Sequence, residues 1–142
     1  MPELAVRSIG VPAMTEAEID NVRAVQTEDA ALPQVALETQ HLLHAGLYLR
    51  TIRMPAGVRI TGALVRIATA VIVQGDCWVW LGDRSRHLTG YNVLPASAGR
   101  KQAFWSVEET FITMVFATMA TTVEEAENEF TSEAHLLQTR RK

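Results

Sequence analysis

Apolar and polar positions along this chain follow a helical period at both ends and an alternating period in between. In residues 15–27, Ile19, Val22 and Val25 or Gln26 recur near helical spacing. Thr15 and Glu18 stand at capping-box spacing, so the threonine can cap the first turn while the glutamate reaches back. Residues 28–40 contain Pro33, show no period and read as a connector. From residue 47 to 118 the pattern breaks into short β runs. The run 47–54 ends at the turn Pro55-Ala-Gly57. The run 58–73 carries Gly62, which suggests a bulge or bend. Gly75 and Asp76 read as a hairpin turn into 77–81, and Gly82 and Asp83 as another into 86–94. Residues 95–99 form a further turn before 100–106, and Glu108 and Glu109 precede 110–118. Thr122 and Glu125 repeat the capping-box spacing. Ala126 and Phe130 then share one side of a helix, which 132–139 extend after a break near Thr131.

Regularly spaced short strands with Gly and Pro turns predict an all-β sandwich or barrel with a short helix at each end. The chain divides into an N-terminal helix and connector (1–40), a barrel (41–120) and a C-terminal helix with a basic tail (121–142). At 142 residues, 48% hydrophobic and 20% charged, it suits one domain with a sizeable core. The net charge of −3 gives no footprint for nucleic acid. The basic cluster at Arg140, Arg141 and Lys142 reads as a solvated tail. The first ten residues lack a basic start followed by an apolar run, and no stretch approaches the roughly 18 apolar residues of a membrane span. A cytoplasmic or virion-associated protein is expected, not a secreted or membrane one. The single Cys77 lies in an apolar strand pattern and reads as a buried thiol.

The order of the turns carries a likeness. Gly46-Leu-Tyr-Leu-Arg50, Met54-Pro-Ala-Gly57, Ile72-Val-Gln-Gly75 and Pro95-Ala-Ser-Ala-Gly-Arg-Lys101 follow one another, then Glu109-Thr110 and Ala117-Thr118. Over about residues 41–129 this resembles the cupin superfamily, and more narrowly the short cupin-like proteins of phages and prophages. The resemblance implies a double-stranded β-helix, or jelly-roll, barrel. Metal-binding relatives carry two histidines four apart before the Gln-Gly step and another on the strand after the acidic-Thr pair. Those positions fall here on Leu64, Ala68 and Phe116, none of which can bind a metal. Alternation supports the same expectation. Leu64, Arg66, Ala68 and Ala70 would share one strand face, and Ile112, Met114, Phe116 and Thr118 another. If those faces point inward, packing by Leu64, Ile112, Met114 and Phe116 replaces a metal site, and no metal or other cofactor is expected.

Other chemistry is sparse. Glu38, His41 and His44 spell E-x-x-H-x-x-H, which on a helix would set three ligands on one face; as a strand entrance the same residues are only decoration. Tyr48, Arg50, Arg66, Arg100, Lys101 and Gln102 could line a cationic mouth for a phosphate or carboxylate. Alternatively Tyr48 is core, and the cations snorkel or pair with Glu108 and Glu109. Trp78 and Trp80 share a strand face, with Trp105 on a further strand. They either stack in the core or form an exposed stripe that marks a subunit interface. No phosphate loop, Ser-His-Asp order or catalytic carboxylate pair stands out.

The sequence therefore favours a non-catalytic, metal-free barrel of phage or prophage type. It would act in self-assembly or partner binding, as a homo-oligomer and a virion or accessory structural protein. The alternatives are a metal-free enzyme on a small anionic or sugar-like substrate, using Tyr48, His44 or Arg66, and a small-molecule-sequestering protein. An open, charged interior would favour these alternatives; a filled one would favour assembly.

Overall fold

A computed structural model describes residues 10–137. The basic tail, and all but Gly10 of the first ten residues on which the leader reading rests, lie outside the described residues. Helix α1 (Glu16–Ala30) starts at the expected capping box: the Thr15 hydroxyl accepts from Glu18 N–H, and the Glu18 carboxylate from Thr15 N–H. Seven strands follow: β1 (Glu38–His44), β2 (Leu47–Met54), β3 (Arg59–Thr61), β4 (Thr69–Trp80), β5 (Ser85–Ala96), β6 (Ala103–Ser106) and β7 (Thr110–Ala117). Helix α2 (Val123–Phe130) and a single 3-10 turn, Ala134–Leu136, complete the described chain. The break near Thr131 falls where α2 ends.

The sheet runs β1-β2-β7-β4-β6-β3, with β5 paired to β4, and curls around its buried face. Alternation decides what goes inside. On β4, Val71, Val73, Cys77 and Val79 are buried while Ile72, Gln74, Asp76 and Trp78 take the opposite face. With Leu88, Leu94, Phe104 and Ile112 they form the main core. A second cluster joins Tyr48 and Phe116 to Ala126 and Phe130, so the apolar side of α2 plugs that end of the barrel.

Three expectations are corrected. Gly75 and Asp76 are not a hairpin turn: β4 runs straight through them, and the hairpin closes at Gly82 and Asp83, with Trp80 opposite Ser85. Gly75 marks instead the place where β4 changes partners. Residues 70–74 pair with β7, and 77–80 pair with β6. Gly75 sits at φ +144°, and a Cβ there would lie 2.5 Å from the Glu109 carbonyl oxygen, so the close crossing of the two segments demands glycine. Second, the run 58–73 is not one strand. It gives β3, an irregular stretch 62–68 held by the bridge between Val65 and Arg100 and by the Gly62, Leu64 and Arg66 N–H groups donating to the Gln102 carbonyl, the Glu133 carboxylate and the Phe130 carbonyl, and then β4. Third, the barrel begins at β1, within the supposed connector, where Glu38 pairs with Arg53 in register.

Candidate functional site

The barrel interior is open. A cavity of about 680 Å³ runs between the inner faces of β2 and β7 and the irregular stretch that follows β3. Ile52, Ile60, Val71, Phe104, Ile112 and Met114 make much of its wall apolar. The end of α1 and the connector to β1 cover one side of it. Arg59 Nε donates to Asp29 Oδ2 at 3.0 Å, and Gln34 Nε2 donates to the Asp29 and Leu32 carbonyls, which pins that cover. The interior expected to be packed by Leu64, Ile112, Met114 and Phe116 is therefore not filled: Ile112 and Met114 form its wall, while Leu64 and Phe116 do not.

Four cationic side chains also line the cavity, and they differ in their partners; Arg59 is the one already paired with Asp29 in the cover. Arg50, inward on β2, donates from Nη1 to Glu127 Oε2 at 2.7 Å, and both side chains are buried. Its guanidinium lies 5.7 Å from the Phe130 ring centroid. Lys101 Nζ donates to the Gly62 carbonyl at 2.8 Å and pairs with Glu133 at 3.4 Å. Burial lowers the Lys101 ammonium, and the Glu133 charge partly restores it. Burial alone would raise the Glu133 carboxyl, but the Leu64 N–H, Lys101 and Arg23 together hold it below the usual range.

Arg100 is different. It is 1% exposed, and all its hydrogen-bond partners are neutral. Nη1 donates to the Ser97 and Ile67 carbonyls at 2.7 and 3.3 Å, Nη2 to Thr69 Oγ1 at 2.6 Å, and Nε to Gln102 Oε1 at 3.2 Å. Among the described residues no carboxylate pairs with it. Burial pulls its guanidinium down to about 10, so it stays charged at neutral pH. Gln102 is also buried, and its Nε2 has no partner among the described residues. The amide cannot flip to repair this, because Nε2 would then meet the Arg100 N–H, donor against donor.

The residues singled out from the sequence are thus split. Arg50, Arg100, Lys101 and Gln102 meet at the cavity. Tyr48 is fully buried and absent from its wall: its hydroxyl accepts from Arg50 Nη1 at 3.3 Å and lies 2.7 Å from His41 Nδ1. Burial raises the phenol, and burial and then Arg50 lower the His41 imidazolium, so both are neutral at pH 7. Arg66 is exposed, donating to the Glu129 and Asn128 carbonyls at the end of α2, where its charge suits the helix dipole. Leu64 and Ala68 lie in the irregular stretch; Ala68 and Phe116 both border a shallow groove outside the cavity. Glu38, His41 and His44 are on a strand, so an odd spacing of three turns His41 inward and leaves Glu38 and His44 outward. The three are not a ligand set. The enzyme candidates Tyr48, His44 and Arg66 do not converge at the cavity. Cys77 is buried, and burial followed by the Asp76 charge pushes its thiol up to about 11. What the sequence did not single out is the connector, which covers the cavity through backbone geometry and carries no motif.

On the outer face, Trp78 is 42% and Trp105 59% exposed, and the two are cross-strand neighbours. Trp78 stacks on His87 at 4.7 Å, and His87 Nε2 lies 2.6 Å from Asp76 Oδ1. Trp80 is half-buried on the same face. Among the described residues, no helix is long and apolar enough to cross a membrane.

No family model and no curated protein matches the sequence. Solved structures do. A cupin superfamily protein from Desulfitobacterium hafniense is 14% identical, with a TM-score of 0.51 over 61% of this chain and 81% of that one. Ectoine synthase from P. lautus is 16% identical, with a TM-score of 0.52 over 70% and 76%. KdgF from Halomonas sp. is 15% identical, with a TM-score of 0.51 over 61% and 84%. At these identities the likeness is one of fold: the chain is a cupin-like β-barrel with short terminal helices.

Proposed function

We propose that this barrel binds a small organic molecule in its interior, as a metal-independent binding or sequestering protein. The carrying observation is the cavity of about 680 Å³, mostly apolar in its wall but with buried polar groups gathered at Arg100 and Gln102. That volume lies in the range of drug-sized ligand sites. A ligand held at a hundred times its dissociation constant stabilises the fold by about 2.7 kcal/mol. Thermal melts against a panel of medium-chain acids, alcohols and amines should therefore show a shift of several degrees for some members. A panel that leaves the melting temperature unchanged would remove this reading.

Self-association is a second reading, favoured by the exposed aromatic row of Trp105, Trp78 and His87. Exposed rows of this kind on a sheet are interface candidates. The phage-type assembly role implied by the resemblance belongs to this reading and falls with it. Light scattering should find at least a dimer at micromolar concentration, and Trp78→Ala should weaken it by about 2 kcal/mol or more. A monomeric wild type would sink both statements.

A further inference from the structure

We infer that the ligand is a monocarboxylate with an apolar body, its carboxylate seated between Arg100 and Gln102 on the cavity wall. This rests on the interior-binding reading and gives it a chemical class. The argument is one of charge and donor counting. Arg50, Arg59 and Lys101 are matched by Glu127, Asp29 and Glu133, which leaves Arg100 as the wall cation without a carboxylate among the described residues.

A buried guanidinium with neutral partners keeps a net positive charge in a low-dielectric site, which an anion relieves. Four of its five N–H groups donate to the Gln102, Ile67, Ser97 and Thr69 acceptors. Next to it, the Gln102 amide presents N–H donors that no described acceptor receives. A leftover guanidinium N–H beside an amide N–H₂ offers donors for the two oxygens of a planar carboxylate, and charge-assisted bonds of this kind are the strong ones. One unmatched positive charge balances a monoanion; a phosphate dianion would leave excess negative charge in the cavity. The apolar wall from Ile52, Val71, Phe104, Ile112 and Met114 then receives the ligand body.

The test is calorimetric titration of the intact chain with octanoate and with octanol, on wild type, Arg100→Met and Gln102→Leu. Wild type should bind octanoate at least about tenfold more tightly than octanol. Arg100→Met should remove most of that preference and leave octanol affinity within about twofold; Gln102→Leu should reduce it severalfold. If neither probe binds wild type, the interior-binding reading itself fails. If both bind equally, that reading stands and the carboxylate assignment is overturned. Should the preference survive in both variants, the seat is elsewhere on the wall and the assignment is equally overturned. If Arg100→Met does not fold, Gln102→Leu and the wild-type ratio still decide.

Discussion

Glu127→Ala is expected to lower folding stability by about 3–5 kcal/mol, the usual result of stranding one partner of a buried ion pair. The Arg50 and Glu127 side chains are 8% and 3% exposed and meet at 2.7 Å. Removing the carboxylate leaves the guanidinium with Tyr48 Oη at 3.3 Å and the face of Phe130. Neither supplies a negative charge. The double variant Arg50→Met with Glu127→Leu should recover most of the loss, because apolar replacement of a whole buried pair is often neutral or better. Urea unfolding of the three variants measures this. A loss under about 1 kcal/mol in Glu127→Ala would show that water in the cavity solvates Arg50 well, and would take away the argument that Arg50 is electrostatically silent toward a ligand.

That pairing is also where sequence reading stops. Arg50 stood out as an inward cation because strand alternation fixes its side. Its partner lies 77 residues away on α2, and only the docking of that helix brings the two together. The same holds for Arg100. The sequence placed it after a turn, near Lys101 and Gln102, and so near a candidate mouth. Its lack of an acidic partner among the described residues is a property of the assembled wall.

Local signals were legible where they act locally. The capping box at Thr15 and Glu18, the outward and inward residues of β2 and β7, and the Gly82 and Asp83 hairpin follow from patterns a few residues long. Gly75 misled for the reason that it matters. Gly-Asp is ordinary turn chemistry, but here glycine is needed because another segment, at Glu109 and Thr110, passes too close for a Cβ. A glycine required by a non-local contact is indistinguishable, in one sequence, from a glycine required by a turn. The interior offers a parallel case. Leu64 and Ala68 could be assigned to the inner face only if β4 extended back to them in regular alternation, and it begins at Thr69.

Phe116→Ala should cost about 3–5 kcal/mol and leave octanoate affinity unchanged. Phe116 is 6% exposed, with its ring 5.4 Å from Tyr48 and 6.2 Å from Phe130 in edge-to-face contact. Truncation therefore opens a void among aromatic rings that are themselves held by β2 and α2, and such sites relax poorly. The family resemblance implies a metal-ligand position at Phe116, yet its side chain points into the cluster beneath α2 and not into the cavity. Stability and binding should therefore separate. A large fall in melting temperature with unchanged octanoate titration fits a packing residue. A small fall, with octanoate affinity reduced, would mean that Phe116 touches the ligand. The cavity would then reach past Met114 toward Tyr48, and the carboxylate seat at Arg100 would have to share the ligand with a second wall.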